Sequence, residues 1–226
     1  ICNEIRNINF SDNLVYAGGC ALNSLANKKI LETKNFKNIF IPYAPGDGGG
    51  AIGSALYYLN SKKMKTYNLK NPYLGPCFNN NEIEREIINT KDLKKFKILF
   101  EENKDKLNTK IANLILKNNI IGHLNGRMEF GARALGNRSI LANPCDKNIK
   151  DIINLKIKKR ENFRPFAPSI LEDKKKDWFQ SNFKNHYMST VELIKDEKRK
   201  LIPAVTHIDG TGRVQTVSKE FDLNFY

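Results

Sequence analysis

Near its start the chain carries two short apolar runs, each broken by glycine and followed by a helix-spaced stripe. Residues 14–17, LVYA, form the first run; Gly18 and Gly19 interrupt it, and Leu22, Leu25, Ala26 and Ile30 mark one face of a helix over 20–31. Residues 38–42, NIFIP, form the second run. The loop PYAPGDGGG follows, and AIGSALYYL over 51–59 reads as another helix. Strand, glycine turn and helix, used twice, predict an α/β layer with ligand-facing loops where the strands end.

From Asn60 to about Pro76 the text turns polar and turn-rich, which predicts a boundary. Helices are expected at 81–90 and at 104–118, the second with Ile111, Leu114 and Ile115 as its apolar stripe. IIGHLNG, 120–126, predicts a strand entering a glycine-punctuated loop that runs to Leu141. Ile149, Ile152, Ile153 and Leu155 predict a helix over 147–158, and Pro165 and Pro168 bracket an extended stretch. Residues 171–183 read as a helix with Trp178, Phe179 and Phe183 facing inward. The text over 204–217 reads as strand, glycine turn and strand.

Composition changes this picture in one respect. The net charge of +14 over 226 residues raises three anionic partners, namely nucleic acid, membrane headgroups and a phosphorylated small molecule. Lysine is the default cation, yet arginine gathers in two segments, GRMEFGARALGNRSIL from Gly126 and KIKKRENFRPFAP from Lys156. That exception points to a planar donor fork for phosphate or carboxylate. The four cysteines, Cys2, Cys20, Cys77 and Cys145, have no CxxC spacing, so neither a zinc framework nor a disulfide scaffold is expected and a reducing cytoplasm fits best. No run reaches the roughly 20 apolar residues of a membrane span. A chain beginning at Ile1, already mid-domain in pattern, is expected to be a piece of a longer protein.

Each motif has a plainer reading. PGDGGG ahead of a helix suits an anion or nucleotide, with Asp47 placed to face a metal or a ribose, but glycine also serves merely to turn a chain. For the first arginine segment the alternative is a helix face with a Glu129–Arg133 pair. Gly126, Gly131 and Gly136 break such a helix, so a loop cradle carrying Arg127, Arg133, Asn137, Arg138 and Ser139 fits better. The second segment sets Lys158, Arg160 and Arg164 around Phe163 and Phe166, an interleaving that nucleic-acid binders also use. His123, His186 and His207 read as structural; His207, beside Asp209 and Arg213, is the best exception.

These segments, with THIDGTGRVQTV, AGGCALNSLAN and PYAPGDGGGAIGSAL, resemble in order and spacing the NodU/CmcH/TobZ-type O-carbamoyltransferases. The resemblance covers residues 14–217; the family usually has Val at Cys20, Pro at Ala132 and Ala at Gly212. It implies an α/β chain in which residues 1–62 end an ASKHA-type (actin-like ATPase, TsaD-like) domain, 63–110 connect, and 111–226 form most of a YrdC-like domain. It implies that carbamoyl phosphate and ATP form carbamoyl adenylate, from which a hydroxyl of a sugar or secondary metabolite takes the carbamoyl group beside a bound iron or other divalent metal, with Mg accompanying ATP. By motif, Arg133, Lys158, Arg164 and Arg213 would hold carbamoyl phosphate and the ATP phosphates, joined by Arg127, Arg138 and Ser139. Gly18, Gly19, Asn23, Gly48 and Gly49 would be nucleotide-facing, and Asp47 a metal ligand whose histidine partners lie in a stretch this chain lacks. The family's NTSFN-type segment is expected beyond Tyr226, so the complete protein is expected to be the enzyme and this chain alone a weak binder. A small-molecule acceptor is the expected partner and a homodimer is left open. Threonylcarbamoyl-adenylate chemistry of the tRNA-modification type and a basic nucleic-acid-binding module remain the alternatives.

Overall fold

A computed structural model describes residues 1–8, 11–66, 71–90, 95–220 and 225–226. Part of the expected boundary, residues 67–70, lies outside the described residues. The architecture is mixed α/β, with four two-stranded sheets among the described residues. None of their helices is long and apolar enough to cross a membrane.

After α1 (Cys2–Ile8), strand β1 (Asn13–Val15) pairs in parallel with β2 (Asn38–Phe40), Leu14 opposite Ile39. The helix between them starts later than its apolar spacing predicts. Gly19–Leu22 winds as a tighter 3-10 turn, and Asn23 is extended, its side-chain oxygen accepting from the N–H groups of Leu25 and Ala26 at 3.1 Å. An asparagine that takes up two orphan donors sets a helix start more firmly than apolar periodicity does. Helix α2 therefore runs Ser24–Glu32, and α3 (Asp47–Ser61) follows the glycine loop. Helix α4 (Asn80–Asn89) opens on a reciprocal pairing of Asn79 and Glu82, and α5 spans Lys104–Leu116.

Strand β3 (Ile121–Leu124) pairs antiparallel with β4 (Arg138–Leu141). The glycine-punctuated loop is thus shorter than expected: it ends at Asn137, and the text from Arg138 onward is strand. Residues 147–158 do not form one regular helix. A short α6 (Ile149–Ile152) widens into a π turn over Ile153–Ile157, where the Lys158 N–H reaches the Ile153 carbonyl, five residues back, at 2.8 Å.

The expected helix over 171–183 shrinks to a 3-10 turn at Glu172–Lys174 and α7 (Lys175–Trp178). Phe179 leaves it in extended conformation to bridge Ile194 and bury itself in the core. Lys175 is buried as well, and its ammonium meets Glu192 at 2.6 Å and the Phe183 carbonyl. Burial pushes Lys175 below and Glu192 above their ordinary values. Nor is 204–217 a hairpin. Pro203–Val205 is a 3-10 turn, after which β7 (Thr211–Gly212) pairs with β6 (Glu192–Leu193), while β8 (Gln215–Val217) pairs in parallel with β5 (Ser169–Leu171). Between β6 and its partner stands α8 (Asp196–Arg199). The two strands serve different sheets because Val214, fully buried, joins Phe179, Ile194, Ile202 and Val205 in one core cluster. A second cluster holds Ile149, Ile153 and Ala204, and Phe166 packs against both.

Candidate functional site

Two cavities collect most of the residues that the sequence singles out. The first lies over the N-terminal glycine loops and is lined by Gly18, Asp47 and Gly49 with Phe40, Pro45 and Ile52. The Gly18 N–H donates to the Pro45 carbonyl at 2.6 Å, which ties the two loops together. Gly19, Gly48 and Asn23 do not line it, and Asn23 is occupied as the cap of α2. Asp47 is exposed on the first turn of α3. Among the described residues no three His, Cys, Asp or Glu side chains gather. Asp47 by itself therefore does not complete a metal site among the described residues.

The second cavity, about 260 Å³, is walled by Arg133, Lys158, Arg160 and Arg213, with Ser139 and Ser169 among its hydroxyls. No carboxylate lines it among the described residues. The loop between β3 and β4 delivers Arg133. Glu129, buried, accepts from the N–H groups of Leu135 at 2.6 Å and Asn137 at 2.8 Å, and its other oxygen stands 3.4 Å from Arg138. The alternative Glu129–Arg133 pair, set aside on the glycines, is not formed: Glu129 braces its own loop, and Arg133 turns toward the cavity. Gly131 is required here: its φ is +129°, and a Cβ would stand 2.7 Å from the Tyr43 carbonyl oxygen. Arg133 donates to the Leu22 carbonyl at 3.1 Å, so it touches the N-terminal segment and the cavity at once. Ser139 lines the cavity and accepts from the Gly136 N–H at 3.0 Å.

Three expected residues stand elsewhere. Arg138 donates to the Gly131 carbonyl at 2.8 Å and braces Glu129, and Arg127 donates to the Leu74 carbonyl at 3.1 Å. Arg164 pairs with Glu161 at 2.8 Å, half exposed, and does not line the cavity.

Arg213 decides what the cavity is for. It is partly buried, and its Nε is buried with no acceptor among the described residues. Burial, then the nearby positive charges of Arg133 and Arg160, pushes it down to about 10. Burial also pushes Arg133 below its ordinary value. Desolvating an unpaired cation beside others is costly, and a protein tolerates it where an anion is to be received. Below Arg213, Gln215 donates to the Leu135 carbonyl at 2.7 Å and accepts from Ser169 at 2.9 Å, so the cavity floor is stiff.

Comparison with known proteins agrees with this division. A family model described as carbamoyltransferase C-terminus matches residues 112–226, and one described as carbamoyltransferase N-terminus matches residues 2–56. The chain belongs to the carbamoyltransferase family. All four cavity cations lie within the C-terminal carbamoyltransferase match, and Gly18 and Asp47 within the N-terminal one. An uncharacterized Synechocystis protein is 39% identical over 95% of this chain and 39% of its own length. Nodulation protein NolNO of Sinorhizobium fredii is 38% identical over 94% of the chain and 32% of its length, and nodulation protein U of Rhizobium tropici 35% over 92% and 33%. This carbamoyltransferase chain thus spans 32% to 39% of the length of these relatives.

Sequence reasoning passed over Ser169 and Gln215 and did not choose Arg160 among the anion-holding residues. The basic, aromatic text around Phe166 was a signal for Arg160. Nothing in the letters marks Gln215, which reaches the cavity only because β8 pairs with β5.

Proposed function

We propose that this chain supplies the anion-binding part of an ATP-dependent O-carbamoyltransferase, which forms carbamoyl adenylate from carbamoyl phosphate and ATP and passes the carbamoyl group to a hydroxyl of a sugar or secondary metabolite. The observation that carries this reading is Arg213, partly buried with its Nε unpartnered, beside Arg133 and Arg160 in a cavity that no carboxylate lines among the described residues. Water cleaves carbamoyl phosphate to carbamate and phosphate, a carbamate oxygen then bonds to the α-phosphorus of ATP, and pyrophosphate leaves with the bonding pair, so two polyanions must be held side by side. Fixed guanidinium groups offset that charge at every stage without reorganising. Arg133 and Arg213 would hold phosphoryl oxygens through paired N–H donors, Lys158 would add a point charge, and the Ser139 and Ser169 hydroxyls would orient the remaining oxygens. In the last step the acceptor hydroxyl forms a bond to the carbamoyl carbon, AMP leaves with the bonding pair, and the hydroxyl proton passes to water. The carbamoyltransferase matches favour this reading over threonylcarbamoyl-adenylate chemistry and over a nucleic-acid surface.

The test uses the complete protein. Carbamoyl-phosphate-dependent release of AMP and pyrophosphate should fall about 100-fold or more in Arg133→Ala and in Lys158→Ala protein that stays folded. Normal turnover in both would overturn the site.

A further inference from the structure

Outside glycine, few described residues adopt a left-handed backbone. Lys34, Lys63, Asn118 and Lys159 do so, each exposed and just past the end of a helical turn, where that conformation commonly closes a helix. Met188 does so too, at φ +54°, yet it follows no helix and is buried, 8% exposed. A side chain makes this conformation costly, and glycine would adopt it freely. The neighbours impose it. Ser189 donates its N–H at 2.8 Å and its hydroxyl at 3.1 Å to the Asn185 side-chain oxygen, and its carbonyl accepts from Asn27 at 2.7 Å. Asn185, itself buried, is held by Thr190 and Thr216 at 2.9 Å. On the other side the Tyr187 ring meets Tyr43 edge-on, with centroids 5.6 Å apart. Met188 is thus pinned from both ends, and it lines the arginine cavity with Ala132, Ala134 and Ile140. Strain maintained at the wall of a cavity marks a side chain whose position matters to the site.

We propose that Met188 is the water-excluding wall of this cavity, covering the uncharged carbamoyl end of the substrate while the cations hold its phosphoryl end. The inference rests on the carbamoyl phosphate reading above and adds what keeps its two half-reactions together. Carbamate, once formed, has a competing fate. Its nitrogen takes a proton from water, the C–N bond breaks with its electron pair going to nitrogen, and ammonia, carbon dioxide and hydroxide result. A dry apolar wall withholds that water until the carbamate oxygen has bonded to the α-phosphorus.

The experiment supplies the complete protein with carbamoyl phosphate and ATP and measures phosphate, pyrophosphate and ammonia, with the protein-free breakdown of carbamoyl phosphate subtracted. Wild type should release phosphate and pyrophosphate in about equal amounts. Met188→Ser, and Met188→Gly, which takes up φ +54° without strain, should release about three or more phosphates per pyrophosphate, the excess matched by ammonia. Met188→Leu, which keeps the apolar bulk, should stay near the wild-type ratio. Both releases unchanged or falling together in Met188→Ser and Met188→Gly, with their ratio still near one, would show Met188 to be structural; that result overturns the proposal and leaves the phosphate reading standing. Absence of carbamoyl-phosphate-dependent pyrophosphate from the wild type would sink that reading and this inference with it.

Discussion

The glycine loops of the N-terminal segment and the arginine cavity are both receptive to anions on paper, and the structure treats them differently. Around the loops, Asp47 is exposed and lines the cavity there, and α3 has no buried residue. Around the arginines, cations are drawn partly out of water with no carboxylate lining their cavity among the described residues. Backbone donors on a helix start need little else to remain stable in water, whereas partly buried guanidinium groups store an unmet demand. The second arrangement is therefore the stronger evidence of a ligand, because it is the more costly to keep without one.

The largest expected effect breaks the cavity at its most costly point. Arg213→Met should abolish measurable sulfate or pyrophosphate binding, a loss of about 100-fold or more, and at the same time raise the melting temperature of the ligand-free protein by a few degrees. A variant that lost both stability and binding would show Arg213 to be structural. Next comes a pH series with sulfate, which does not titrate. Arg213 sits at about 10 when the cavity is empty, and an anion favours its charged form. Affinity should be level below that value and fall about tenfold per pH unit above it. The glycine loops carry no lysine or arginine, and burial holds the Tyr43 phenol beside them above its ordinary value of 10, so an affinity that stays level just above pH 10 would assign the anion to them.

The seam between the two regions gives a smaller effect. Asn27, fully buried in α2, donates to the Ala21 and Ser189 carbonyls at 2.7 Å each. Asn27→Leu leaves both carbonyls without that donor and should cost about 2 kcal/mol in denaturant unfolding. The smallest effect is at His207. Burial holds it below its ordinary value of 6.5, so the neutral ring is favoured in the folded state and stability should decline as pH falls below that value. His207→Gln should flatten this acid-side slope by about 1 kcal/mol.

Much of the cavity was legible in the letters because arginine among lysines is a chemical exception that survives without coordinates. Gly126, Gly131 and Gly136 told of a loop, and the loop is there, although β4 begins earlier than its glycines suggest. What stayed hidden depended on partners far away in the chain. Periodicity could not show that Phe179 leaves its helix for Ile194, or that β8 lies beside β5, since each follows from which apolar residues find the core. Arg160 and Arg164 are alike in composition and neighbourhood. Only the buried amide of Asn154 and the nearby carboxylate of Glu161 separate them.

The wide π turn before Lys158 sets the aim of the whole second segment. One residue more than a regular helix needs is accommodated between Ile153 and Lys158, whose N–H reaches back five positions. Deleting one exposed residue there, such as Lys156, would let the turn close as an ordinary helix and rotate everything after it by about 100°. Lys158 and Arg160 would then swing off the cavity together with their charges and chemistry intact. The bulge is a phase setting: it fixes where along the helical screw the cations emerge, and a family sharing these letters could retune its anion site by changing the count and leaving the composition alone.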